Sequence, residues 1–329
     1  MEKNIFPILT RTEGQCSFCK ANSENLVSPR DLGDYFELLV SAYEEDEESD
    51  KRITDWLRED WLLFDCPDLE QHATSALLAE ILDDGEIVRK SYRPARPSEF
   101  TGFANWETLK DELRYKNRFF LDEGLNEDRL RELLDHLISE PLPEQWYRAR
   151  IMAGDAPFEL SHMGAPPKGL ASHGRANPPG IPYLYLASKP NTGIAEVRPH
   201  TGEKACVAMF SIPAEISVVD LRKPKKLVSP FLLQGTSDIA QLRADIPFLE
   251  KLGEELTRPV LPRSAAIDYV PSQFLCEFIK KQGFSGVLYS SSVSDGMNLA
   301  LFDIEAAEAV SVAEYLIDKV SVDISPNTL

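Results

Sequence analysis

The chain has 329 residues, with 54 Asp and Glu against 35 Lys and Arg, for a formal net charge of −19. That balance repels a phosphate backbone and speaks against a broad nucleic-acid groove, although one focused pocket needs only one or two well-placed guanidinium groups to hold a small anion. No apolar run approaches bilayer length, the opening residues lack a signal-peptide core, and five cysteines form an odd set in a long chain, so the sequence reads as soluble and cytoplasmic, with no membrane partner.

Length favours two domains of unequal size. Near the start, Cys16 and Cys19 have the spacing of half a zinc site, which Cys66 and His72 could complete; a pair of reduced thiols explains the same spacing. Apolar residues then recur at helical intervals, and helices are predicted over 32–44, 53–63, 69–82 and 106–119. The acidic run 44–48 reads as a solvated helix end or loop. The clearest stripe is Leu130, Leu133, Leu134, Leu137 and Ile138, at i, i+3, i+4, i+7 and i+8, behind an Asn126 N-cap with Asp128 in the first turn. Pro141 and Pro143 stop that helix, and the domain boundary is placed there: an all-helical domain over 1–140 and a second domain over 141–329.

Beyond the prolines the period changes. Short β-rich runs at 183–188, 205–211, 216–221, 286–289 and 298–303 are bounded by Gly, Pro, Asn and Ser, and helices are predicted at 192–197, 239–256 and 272–282. This mixture predicts an α+β fold and not regular βαβ winding.

Three pieces of the second half carry chemistry. Residues 174–180, GRANPPG, form a loop of turn formers that offers the Arg175 guanidinium beside Asn177; 183–188 form a strand bearing Tyr185; and 194–199 open a helix bearing Glu196. Arg175 suits a phosphate or pyrophosphate, Tyr185 offers a ring and a hydroxyl, and Glu196 offers a carboxylate. The plain alternative is an Arg–Glu ion pair that merely fixes a loop.

Residues 174–199, GRANPPGIPYLYLASKPNTGIAEVRP, resemble the diagnostic segment of the RES family. The likeness continues through Tyr147-Arg148-Ala149-Arg150, through 269–273, and through 286–291 and 296–302, and so covers roughly 144–303. The resemblance implies an α+β fold related to ADP-ribosyltransferase toxins and an enzyme that cleaves the nicotinamide–ribose bond of NAD⁺ by hydrolysis or phosphorolysis. It carries the family's essential Arg, Tyr and Glu onto Arg175, Tyr185 and Glu196. Arg148, Arg150, Asn177, Ser290, Ser291 and Asn298 are the expected substrate contacts. Ala176 stands where many members have a larger residue. Because the nicotinamide of NAD⁺ leaves as a neutral molecule, one carboxylate suffices. Glu196 is expected to stabilise the oxocarbenium-like ribose, Arg175 to hold the pyrophosphate or an attacking inorganic phosphate, and Tyr185 to pack on the substrate and hydrogen-bond Arg175 or Glu196. An acceptor other than water or phosphate would make the same chemistry ADP-ribosyl transfer.

The first half, in 103–120 and around Cys16 and Cys19, resembles the HEPN-like helical domain that often precedes RES domains. HEPN ribonucleases use an Arg-x4-6-His motif, a form that Arg131 and His136 share. The two side chains lie about 140° apart on one helix, which makes a solvated face the simpler reading. RES toxins also imply an antitoxin or immunity protein as partner, and self-association is expected.

Overall fold

The computed structural model describes residues 5–96, 106–122, 126–233 and 235–321. The chain forms two compact units, one from 1–103 with 225–248 and the other from 104–224 with 249–329.

In the first unit, helices α1 (Gly33–Val40), α2 (Ile53–Trp61) and α3 (Gln71–Leu82) follow the predicted stripes, and Phe36, Leu39, Ile53, Leu57 and Leu78 are buried. Two short antiparallel pairs accompany them: β1 (Thr12–Gln15) with β2 (Asn22–Leu26), and β3 (Tyr43–Glu45) with β4 (Tyr92–Pro94). β1 and β2 are polar throughout and β3 and β4 are three residues long, so neither pair writes an apolar period into the sequence. One cluster of polar groups inside this unit is matched internally. Tyr43 donates to Asp60 Oδ2 at 2.8 Å, Arg243 Nε donates to the same oxygen at 2.8 Å, and Trp61 Nε1 donates to the Tyr43 hydroxyl at 2.9 Å.

The second unit is built on a seven-stranded sheet. α4 (Trp106–Tyr115) and α5 (Glu127–Asp135) precede β5 (Gln145–Ile151), β6 (Leu184–Ala187), α6 (Pro190–Glu196), β7 (Lys204–Ser211) and β8 (Val218–Asp220). In chain order α7 (Pro224–Leu227) and the 22-residue α8 (Thr236–Thr257) come next, their residues 225–248 belonging to the first unit, and then the second unit's α9 (Ala265–Asp268), α10 (Val270–Lys281), β9 (Gly286–Ser290), β10 (Met297–Leu301) and β11 (Glu308–Leu316). The strand order is β11-β7-β5-β6-β10-β9-β8, antiparallel except for the parallel β8–β9 pair, which gives the expected α+β architecture.

The Asn126 side chain caps α5 by accepting from the Arg129 amide at 3.0 Å. The stripe behind it is realised through Leu130, Leu133, Leu134 and Leu137, all 0% exposed, whereas Ile138 is 46% exposed. The helix stops at Asp135, and Ile138 bridges instead to Val219 of β8. Arg131, read as half of a ribonuclease motif, pairs with Asp135 at 3.3 Å and donates to the Gln282 carbonyl, and His136 is half-buried.

Alternation along the strands sorts the sheet into two faces. Leu184, Leu186, Leu288, Leu299 and Leu301 enter the core with Trp146, Phe210 and Met163. Tyr185, Ala187, Tyr289 and Asn298 take the opposite parity, and that face carries the site.

Candidate functional site

The loop bearing Arg175 is fixed by side chains that bond its backbone. The Tyr185 hydroxyl accepts from the Ala176 and Asn177 amides at 3.0 and 3.2 Å and donates to Asn177 Oδ1 at 2.7 Å. The Asn177 amide group donates to the carbonyls of Ser172, Pro178 and Ile181 at 2.9–3.0 Å. From the first turn of α10, Gln273 donates to the Gly174 carbonyl at 2.8 Å and Ser272 to the Arg175 carbonyl at 2.6 Å. A Cβ at Gly174 would lie 2.3 Å from Asn177 Oδ1 and 2.5 Å from the Tyr185 oxygen, so only glycine fits.

The geometry gives several of the expected site residues partners within the protein. Tyr185 lines the cavity described below, its hydroxyl hydrogen-bonds the loop and not the Arg175 guanidinium or the Glu196 carboxylate, and burial pushes its phenol pKa upward. Asn177 is buried, and its side chain is hydrogen-bonded within the loop. Arg150 donates to the Gly164 carbonyl at 3.0 Å, its guanidinium 5.9 Å from the Phe158 ring, and neither it nor Ser290 lines the cavity described below.

Other side chains do converge. Glu196, at the last position of α6, is exposed, yet its Oε1 accepts from Ser291 at 2.7 Å and from Asn298 at 2.6 Å. Two donors on one carboxylate oxygen fix its direction and leave the other oxygen for a ligand. The turn supplying Ser291 packs on α6: Thr192, fully buried, lies 2.8 Å from the Ser294 hydroxyl, and a Cβ at Gly296 would sit 2.1 Å from Thr192 Oγ1. Arg198, just past α6, adopts a left-handed backbone with φ 52°.

A cavity of about 480 Å³ opens between these groups, within the usual range for small-molecule sites. Glu196, Asn298, Arg175, Arg148, Arg198 and Tyr289 are among its lining residues. The Arg175 guanidinium donates to the Arg258 carbonyl at 2.7 Å and lies 5.4 Å from the centre of the Tyr269 ring. Arg148 reaches between β5 and β6 to donate to the Tyr185 carbonyl at 3.1 Å, while its Nε is buried without a partner. Burial, then the neighbouring Arg150, pushes the Arg148 pKa down to about 10, so the group stays charged at neutral pH with no carboxylate paired to it among the described residues. An acidic chain therefore contains one cationic hollow, as composition alone allowed.

Tyr289, Tyr269, His173, Ser272 and Gln273 are site residues that motif reading left without a role. They fall inside or next to the segments that carried the RES resemblance, but their spacing along the chain does not reveal what they touch. Burial pushes the Tyr289 phenol well above its ordinary pKa, with Tyr185, Glu196 and Arg175 as electrostatic neighbours.

The zinc reading of the N-terminal thiols finds no support. Among the described residues, no group of three or more His, Cys, Asp or Glu side chains is placed to hold a metal ion. Cys66 is exposed, and His72 lies 3.3 Å from Glu70 on the surface. Nor does any helix among the described residues have the length and apolarity to cross a membrane.

One solved structure, described as the crystal structure of the M. tuberculosis MbcT-MbcA toxin-antitoxin complex, is similar at 16% sequence identity and a TM-score of 0.34, over 56% of this chain and 91% of that chain. No curated protein matches. The family model described as the RES domain matches residues 145–324, more than half of the chain and all of the cavity's lining residues, and on that match the chain belongs to the RES-domain family.

Proposed function

We propose that the second unit cleaves the nicotinamide–ribose bond of NAD⁺. The observation that carries this reading is the pairing of opposites in one cavity: an oriented carboxylate, Glu196, opposite guanidinium groups that have no carboxylate partner, Arg175 and Arg148. A dinucleotide presents the matching charges, a pyrophosphate for the arginines and a ribose that becomes cationic for the carboxylate.

In the proposed reaction the bond from ribose C1′ to the pyridinium nitrogen breaks, and its electron pair passes to the nitrogen, which leaves as neutral nicotinamide. Glu196 stabilises the oxocarbenium-like ribose through its free oxygen. Water then bonds to C1′ and releases one proton, giving ADP-ribose; inorganic phosphate in its place would give the 1-phosphate of ADP-ribose. Ser291 and Asn298 orient Glu196, whereas Tyr185, Asn177, Ser272 and Gln273 act through the loop as positioning residues.

Incubation of the full chain with NAD⁺, with and without phosphate, followed by mass spectrometry of the products, tests the reading. Nicotinamide with ADP-ribose or its 1-phosphate is the expected outcome. Label on a protein acceptor would assign ADP-ribosyl transfer instead, and undiminished NAD⁺ loss in Glu196→Gln would refute the assigned role.

A further inference from the structure

The groups that touch the Arg175 guanidinium are themselves held by charges that do not line the cavity. Its hydrogen-bond acceptor, at 2.7 Å, is the carbonyl of Arg258, the residue that follows α8. At that end of a helix the carbonyls lack partners within the helix, and the helix dipole favours a cation. The Arg258 side chain is engaged in two directions: Nε donates to Glu255 Oε2 at 3.2 Å, and Nη2 donates to the Asp268 carbonyl at 2.9 Å. Asp268 immediately precedes Tyr269, whose ring is the other neighbour of the Arg175 guanidinium.

Glu255 is only 4% exposed, and a carboxylate so far withdrawn from water needs compensation from more than one donor. The second donor is Lys110 of α4, whose Nζ lies 2.8 Å from Glu255 Oε1 and whose side chain is 13% exposed. One turn farther along α4, Arg114 Nη2 lies 3.9 Å from Asp268 Oδ1. Both residues that hold the Arg258 side chain, Glu255 and Asp268, therefore also face a cation of α4. That helix occupies 106–115, upstream of the residues 145–324 that match the RES domain.

We infer that Lys110, acting through Glu255 and Arg258, is a positioning residue for Arg175, supplied by a helix outside the matched RES domain. Glu255, balanced between Lys110 and Arg258, fixes the Arg258 side chain, and with it the backbone carbonyl that sets the direction of the Arg175 guanidinium. Without the Lys110 ammonium, the buried carboxylate has Arg258 alone among these cations and draws it from the Asp268 carbonyl, so the acceptor of Arg175 loses its fixed place. The inference rests on the NAD⁺ reading above in one respect, that the group Arg175 holds is the pyrophosphate of the substrate. Glu107 also pairs with Lys110, at 2.8 Å, but is 63% exposed and serves as a control on the solvent side.

Binding of inorganic pyrophosphate to the full chain is measured by calorimetry, and NAD⁺ kinetics alongside, for Lys110→Met, Lys110→Arg, Glu255→Gln and Glu107→Gln, and for Lys110→Met combined with Arg175→Ala. Lys110→Met and Glu255→Gln are each expected to weaken pyrophosphate binding and raise KM by about 3- to 30-fold, with kcat changed by less than about 3-fold. Lys110→Arg should restore most of the binding, and Glu107→Gln should match wild type. In the Arg175→Ala background, Lys110→Met should cost little more, because its effect passes through that guanidinium. A lowered thermal midpoint with binding and KM unchanged, or an equal further loss when Arg175 is absent, would overturn the positioning role. If Lys110→Met does not fold, Glu255→Gln, which keeps its shape, decides by the same criteria. Pyrophosphate binding that depends on Lys110 and Arg175 in a chain that leaves NAD⁺ intact would uphold the positioning role and refute the catalytic reading.

Discussion

In the first unit the Asp60 carboxylate receives hydrogen bonds from Tyr43 and Arg243, and in the second the Arg148 guanidinium sits beside a cavity with a buried, unpartnered Nε and no carboxylate paired to it among the described residues. Both are charges largely withdrawn from water. Burying an ion costs several kcal/mol, and nearby opposite charge or hydrogen bonds must offset it. The first unit supplies that compensation from its own side chains, which marks the Asp60 cluster as structure. In the proposed reading the second leaves it for a ligand to supply, with Arg148 as part of the site.

The two kinds of charge can be told apart by experiment. The largest effect is expected at Glu196. Exchange for Gln keeps its size and removes its charge, and should lower the rate of NAD⁺ loss by about 10²- to 10³-fold with the circular dichroism spectrum intact. Asp60→Ala should instead lower stability by about 2–3 kcal/mol in denaturant unfolding, because Arg243 loses its carboxylate, and leave kcat/KM on NAD⁺ near wild type. A large loss of activity without loss of stability in this variant would break the comparison from the structural side.

Arg148→Met removes a buried cation while keeping apolar bulk. Its kcat/KM is expected to fall about 10- to 50-fold, with stability held within about 1 kcal/mol because relief of desolvation offsets the lost bond to the Tyr185 carbonyl. Marked destabilisation with unchanged kinetics would move Arg148 into the structural class. The smallest effect is expected at His136, whose pKa is lowered by burial and then by Arg129. The fold favours its neutral form, so this contribution is fully present above the ordinary histidine pKa of about 6.5 and is lost as pH falls through that value toward the lower folded one. His136→Leu should flatten the stability profile there, measured as denaturation midpoint against pH.

Much of this architecture was legible in the sequence because periodicity reports burial. The α5 leucines and the alternating residues of β6 and β10 all behave as their spacing demands. β5 was harder to see, since Arg148 and Arg150 interrupt the apolar alternation that marks a strand, and the polar β1–β2 pair gave no such signal. At the site, residue types were legible and partners were not. Arg175, Tyr185 and Glu196 all line one cavity, while the Tyr185 hydroxyl bonds the 176–177 backbone, a partner the sequence does not reveal. Ser272 and Gln273 resemble ordinary helix-start residues until the fold brings them to carbonyls 97 and 99 positions away.

The grip on residues 174–177 has a consequence for exchange of bound molecules. Two amides and two carbonyls of that stretch are already engaged by side chains of the protein itself. Under the proposed reading an arriving anion would meet a hollow whose main chain is already set, so binding would carry little loop-ordering entropy and product release would not require the loop to unfold.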